Sequence, residues 1–472
     1  DNKGDNKKDD NKIDDNKKDV DNVDDLSYDS IYFVPRNISE LSISPNVRQI
    51  NSYSFSGCRK LITIKIPSDS QLEIIGKESF SHTAITTIFI PKHVKIIDDS
   101  CFLYCQDMRD VKFDDDSEIQ IIGKNAFSNS TIQSITIPKS VTDIQEGAFN
   151  DCKCIKSFQF QEDCQLKIIK EKVFNNSLIK SITIPKNVEA IEKDAFNNCV
   201  DLREVYFPDD SKLTTIKEGA FSFCKIKKLK IPPQLKEIDE YYSIHKMKEF
   251  SMSSKNKYFR ILDDKYILSK SDINSDNFDV IYSTICQIEN VKIPSYIKKL
   301  GSYSFSSLII NTLEFEENCQ LEIIDDHAFY HSILPDVIII PKTVKIIGKE
   351  SFDHASLNTI LFEENSELQK IDDNAFFDST LQQISLPSNL SYIGISAFSL
   401  TLIEKISIPK NIEIINGQTF SECQKLQTVE FAENSMLKII GNNSFYNCRI
   451  KTISIPKKVQ EIQFEAFFDC MD

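Results

Sequence analysis

Thirteen cysteines and six histidines are the residues of this 472-residue chain that could hold a metal or act as nucleophiles, and their spacing is the first test for chemistry. Cys152 with Cys154 makes C-x-C and Cys101 with Cys105 makes C-x3-C, but neither has the second pair or the His partners of a structural zinc site. An odd number of thiols also rules out complete pairing. His327 and His331, in "DDHAFYH", are the only close His pair, and no third ligand goes with them. A glycine-rich phosphate loop, G-x-S-x-G and H-E-x-x-H are all missing, and eleven glycines leave little to build one from. Paired acids abound, yet they recur by position, whereas a catalytic dyad would be unique. The residue types therefore argue against an enzyme, a metal or a cofactor.

What repeats is a whole phrase. "SITIPKSVTDIQEGAFNDC" (134–152) returns as "SITIPKNVEAIEKDAFNNC" (181–199) and "TISIPKKVQEIQFEAFFDC" (452–470). Anchoring each unit on the aromatic of "AF" and its variants gives Phe55, Phe80, Phe102, Phe127, Phe149, Phe174, Phe196 and Phe221, spaced 25, 22, 25, 22, 25, 22 and 25. A second block follows at Phe305, Phe329, Phe352, Phe376, Phe398, Phe420, Phe445 and Phe467. Regular periods in the twenties are the signature of a solenoid in which one unit makes one coil. The alternation has a visible cause: long units carry an acidic insertion such as "FQFQEDCQLKII" (158–169), and short units the tighter "ITIPKNVEAI" (182–191). Proline after the strand pre-sets the turn, so the short unit corners in fewer residues.

Within a unit, Ile182 and Ile184 face one way and Ser181 and Thr183 the other, the alternation of a half-buried strand. Stacked coil on coil, these strands make a parallel sheet. Val188, Ile191, Ala195 and Phe196 are then spaced by about one helical turn, which predicts a short helical or 3-10 turn with its apolar side inward. Three residues past the anchor, eight units place Cys (Cys58, Cys105, Cys152, Cys199, Cys224, Cys423, Cys448 and Cys470), and most others Ser, Thr or Ala. A slot that takes only small residues once per coil predicts buried free thiols close to backbone.

The pattern IxxIPxxVxxIxxxAFxxC in these units resembles the BspA-like leucine-rich repeats, found in cell-surface proteins of anaerobic bacteria and parasitic protists. The resemblance spans roughly residues 38–240 and 287–472. It implies an α/β repeat solenoid: a right-handed leucine-rich-repeat superhelix with a stacked parallel β-sheet and short helical or 3-10 turns on the other side. It also implies a surface antigen or adhesin that binds host matrix proteins or other cells, placed at the cell surface or outside it. The alternative from the residues is an intracellular protein-protein interaction scaffold in the cytoplasm, favoured by many free thiols.

Composition bounds the rest. A net charge of -15 with no basic stripe argues against nucleic acid or an anionic membrane as the partner. No run of about 18 apolar residues exists to span a bilayer. No apolar signal-peptide core opens the chain, whose first residue is Asp rather than Met. Residues 1–28, almost entirely Asp, Asn and Lys, read as a disordered tail with no apolar surface to offset ordering. Residues 29–240 are a first repeat block and 287–472 a second. Between them, 241–286 read as an insertion or a degenerate repeat, with "NKYFRILDDKYILSK" (256–270) suggesting a hairpin turning at Asp263 and Asp264. Sequons at Asn37, Asn129, Asn175, Asn389 and Asn442 permit glycosylation of a secreted chain.

Two expectations concern the sheet. Aligned strands put Lys92, Asp115, Lys139, Glu162, Lys186 and Asp209 in one row of alternating sign, a device that would penalise slipped register. The outward strand positions are mostly polar, with five exceptions: Phe89, Tyr206, Val337, Ile339 and Leu361. Exposed apolar residues on adjoining coils mark interaction surfaces. Val337, Ile339 and Leu361 are therefore the candidate hot spot, and Tyr206 and Phe89 secondary anchors.

Overall fold

Alternation of inward Ile, Val and Phe with outward polar residues folds each unit into one coil whose strand pairs in parallel with the strands above and below. The computed structural model describes residues 37–238, 249–285 and 287–470. The expected tail over 1–28 and the thiol of Cys286 lie outside the described residues. Along Ser134–Ile137, Ile135 and Ile137 are buried and Ser134 and Thr136 exposed, and the strand pairs in register with Ser157–Phe160. Six such strands make one continuous sheet from Glu40–Ser42 to Ser157–Phe160.

A second parallel ladder runs through two-residue strands, with Ile74 opposite Ile96 and Ile96 opposite Ile121. The third ladder corrects the expectation of helices: no described residue is helical. After the short strand Ala190–Ile191, the chain passes through consecutive turns with Asp194 at φ 55° and Asn198 at φ 57°. The same two positions, two residues before and two after the anchor, have positive φ at all sixteen anchors, from Tyr53 and Gly57 to Glu465 and Asp469. A left-handed residue at every fourth position forbids a right-handed helix. Asn, Asp and Gly, which tolerate that region, supply many of these positions.

The turns bond partly within the coil and partly to the next. Ala195 N–H donates to Glu192 O (3.2 Å) and Asn197 N–H to Asp194 O (3.1 Å), whereas Phe196 N–H donates to Ala220 O in the following coil (2.7 Å) and Asn198 N–H to Ser222 O (2.8 Å). Val188, Ile191, Ala195 and Phe196 are all fully buried, so their inward direction is as the spacing suggested. Only the backbone that delivers it differs. The anchors form a continuous stack within each block, with centroids 4.9 Å apart for Phe174 and Phe196 and 5.3 Å for Phe376 and Phe398, and near-parallel rings. Such contacts add about 0.5–1.5 kcal/mol per pair beyond area burial.

Between the blocks the repeat gives way. Glu249–Met252 still pairs in parallel with Lys228–Ile231. Arg260–Leu262 and Tyr266–Ser269 then form an antiparallel hairpin turned by Asp263 and Asp264, both at φ 52°. Two consecutive left-handed residues are the requirement of a type I′ turn. Tyr266–Ser269 also pairs with Val280–Thr284, which rejoins the short-strand ladder at Lys299–Leu300.

The charge row is shifted by one residue at two of its lysines. Lys92 meets Asp116 (3.8 Å) rather than Asp115, and Lys186 meets Asp163 (2.6 Å) rather than Glu162. Asp163 has φ 59°, and its carboxyl is held below the usual range by the hydrogen bond and charge of Lys186. Opposite charge in adjacent coils is retained, from a turn residue instead of the strand extension.

The left-handed turns give a direct test. Asn374, at φ 53°, replaced by Val should cost about 1–2 kcal/mol, whereas Asn374→Gly should leave stability within about 0.5 kcal/mol. Urea unfolding followed by circular dichroism reads the difference, and equal losses would contradict the turn geometry.

Candidate binding face

Because inward residues of every long strand fill the core, only the outward ones are free to meet a partner. Ile339 lies directly opposite Leu361, and Val337 opposite Thr359, in the pairing of Val337–Ile340 with Thr359–Phe362. Val337, Ile339 and Leu361 are 51%, 54% and 42% exposed. The parallel register thus brings the predicted trio together on two neighbouring strands. Tyr206 and Phe89 are in the first block, away from the trio in the coil order. Tyr206 is exposed beside Thr183 and donates its hydroxyl to Glu204, which pushes the Tyr206 hydroxyl pKa up. Phe89 is half-buried, paired with Lys112.

Two residues escaped the strand-based reading. Ile309 and Ile333 are both more than half exposed and are linked by a parallel bridge on adjoining coils, Ile333 lying four residues upstream of Val337. They precede their strands, so a scan of outward strand positions passes over them. The signal available was the apolar pair at "LII" (308–310) and "SIL" (332–334), where only one of two neighbours can point inward.

The strand ladder is segmented here. Val337–Ile340, Thr359–Phe362 and Gln383–Ile384 make a three-stranded sheet of their own, and Lys405–Ile408 starts another. Where the second of these junctions opens, a groove of about 390 Å³ runs past Leu361, Gln383, Ser385, Lys405 and Ser407. Its far wall is fixed by Glu430, which accepts from Lys405 (2.6 Å) and Ser407 (3.0 Å); those bonds hold its carboxyl below the usual range. The result is an apolar strip ending in a polar groove whose Lys405 is already paired with Glu430.

The thiols serve packing. Cys105 donates to the Phe80 carbonyl (3.1 Å), Cys199 to Phe174 (3.0 Å) and Cys423 to Phe398 (3.0 Å), in each case the anchor one coil back. Ser177 and Ser332 make the same bond to Phe149 (3.0 Å) and Phe305 (2.7 Å), which explains why Ser and Cys share the slot. All described cysteines are free. Burial pushes the Cys152 and Cys423 thiols up to about 12 and Cys105 up to about 11. His327 Nε2 donates to the Glu350 carboxylate (2.8 Å), while His331 stacks on His354 with centroids 4.5 Å apart. Among the described residues no group of three or more His, Cys, Asp or Glu could hold a metal ion.

The buried thiols set a pH dependence. Unfolded thiols ionise near about 8.5, and the folded ones resist to higher pH, so their contribution is fully present below that value and is lost as pH rises through the folded pKa values. The urea midpoint should fall between about pH 8 and about pH 10.5, and fall less in Cys152→Ser/Cys423→Ser. Equal slopes for the two proteins would refute the assignment.

Comparison with known proteins finds one family model and several solved structures of low identity. A family model described as the BspA type leucine rich repeat region matches residues 28–156, 120–246, 167–278, 272–402 and 356–472. No curated protein matches the chain. Among solved structures, the pneumococcal vaccine antigen PcpA is 18% identical, with 92% of this chain and 86% of that one covered and a TM-score of 0.45. A leucine rich cell surface protein from Faecalibacterium prausnitzii is 17% identical, with 84% and 88% covered and a TM-score of 0.46. A leucine-rich repeat protein from Eubacterium ventriosum is 21% identical, with 78% and 84% covered and a TM-score of 0.44.

Proposed function

The chain belongs to the BspA-type leucine-rich repeat family, and from that premise we propose that it is a non-enzymatic protein-binding solenoid acting at the cell surface or after secretion as an adhesin or surface antigen. Its partners are host matrix proteins or proteins of other cells. The observation that carries this reading is the exposed trio Val337, Ile339 and Leu361, brought into contact range by in-register pairing on a face whose outward strand positions are mostly polar. Adjacent aliphatic side chains left in water on a rigid sheet lose little entropy when covered, which suits them to be hot-spot anchors. Tyr206 and Phe89 act as secondary anchors on the first block. No described helix is long and apolar enough to cross a membrane.

One observation favours a different setting. The described cysteines are all free, and reduced thiols are the rule in the cytosol, where the same face would serve an intracellular scaffold. Their hydrogen bonds to anchor carbonyls give them a packing role in either compartment.

Ile339→Ser/Leu361→Ser, with unchanged circular dichroism and urea midpoint, should bind a panel of immobilised extracellular-matrix proteins about tenfold or more weakly than the unaltered chain. Tyr206→Ser should produce a smaller loss. Binding that survives the double substitution would move the site elsewhere on the coil.

A further inference from the structure

The hairpin between the blocks lies outside the repeat and gathers residues that no coil brings together. A cleft of about 380 Å³ opens against it, lined by Arg260 and Leu268 of the hairpin, by Phe278 and Asp279, and by Tyr296 and Lys298 from the start of the second block. That volume is within the range of small-molecule sites. The Arg260 guanidinium lies 4.6 Å from the centroid of the Phe278 ring, and the Lys270 ammonium 5.1 Å from the same ring. Arg260 makes no ion pair among the described residues. Its guanidinium is held over the Phe278 ring while its N–H donors are left for a ligand.

Asp279, in contrast, is already committed. It is buried, accepts from the Ser271 amide (2.9 Å) and hydroxyl (2.7 Å), and lies 3.6 Å from Lys298. Burial pushes its carboxyl up, but the Ser271 bonds and Lys298 outweigh it and hold it below the usual range. Its charge is spent inside the wall. Tyr296 is exposed at the cleft, and partial burial followed by the nearby Asp263 raises its hydroxyl pKa, so it is a hydrogen-bond donor at neutral pH. Leu262 and Leu268 supply an apolar floor.

We propose that this cleft binds a small organic carboxylate with an apolar body, the carboxylate on Arg260 and Tyr296 and the body against Leu262 and Leu268. A planar, oriented guanidinium matches two carboxylate oxygens at once, which a lone ammonium does not. The exposed Asp276 at the rim opposes an anion. The site is independent of the outward strand face and takes a ligand of a different class.

Benzoate titrated into the full chain, followed by ligand-observed NMR, should show saturable binding, and the neutral isostere benzamide should not. Inorganic phosphate at equal concentration should leave the benzoate signal in place. Arg260→Gln should weaken benzoate by about tenfold or more, and Asp276→Asn should strengthen it. If Arg260→Gln disturbs the hairpin, Arg260→Lys and Tyr296→Phe should show the same direction of loss with the hairpin intact. Ile339→Ser/Leu361→Ser should bind benzoate as the unaltered chain does, which separates this site from the strand face. Benzoate that fails to saturate, is displaced by phosphate, or binds Arg260→Gln equally well would overturn the proposal.

Discussion

A single coil of 22 to 25 residues cannot satisfy its own backbone, and the structure depends on how that deficit is met. Strand amides, two-residue strands and turn amides each hand hydrogen bonds to a neighbouring coil, as when Asp98 N–H donates to Ile75 O (2.9 Å) and Phe102 N–H to Ala126 O (2.7 Å). A buried backbone group left unpaired costs about as much as a lost hydrogen bond, so each coil is obliged to repeat the conformation of the last. Repetition of conformation then forces repetition of residue type: Phe at the stack, a small donor three residues on, and left-handed positions around the anchor.

That obligation also decides where function can reside. Inward side chains are fixed by packing and turn residues by φ, whereas the outward strand residues and the non-repeating hairpin are under neither constraint. The exposed aliphatic pair Ile339 and Leu361 departs from the polar rule on the first of these surfaces. Arg260, unpaired by a carboxylate and stacked on Phe278, is the departure on the second. Surface ion pairs such as Lys186 with Asp163 contribute only about 0–1 kcal/mol, so neither departure is offset by electrostatics elsewhere.

Much of this was legible in the residues. Alternation in "SITI" gave the strand, and its inward Ile135 and Ile137 are buried. The small-residue slot gave buried thiols at six of its eight cysteines, with Cys224 and Cys470 only partly buried, because volume is readable where hydrogen-bond acceptors are not. The helical turn was misread for a definite reason: Val188, Ile191, Ala195 and Phe196 are spaced as on a helix, but a chain that corners through left-handed residues can point the same four side chains inward. Asp194 and Asn198, both tolerant of positive φ, were the clue. Ile309 and Ile333 were missed because register between coils, unlike alternation within a strand, is a property of the stack.

Hydrogen–deuterium exchange tests the inter-coil closure most directly. The amides of Phe102, Phe127 and Phe196, bonded to the following coil at 2.7, 2.8 and 2.7 Å, should exchange as slowly as those of the strands Thr87–Ile90 and Asp110–Phe113 that pair across the same stack. Rapid exchange at these anchors beside protected strands would contradict the account, since it would mean that the turn face carries no ladder of its own.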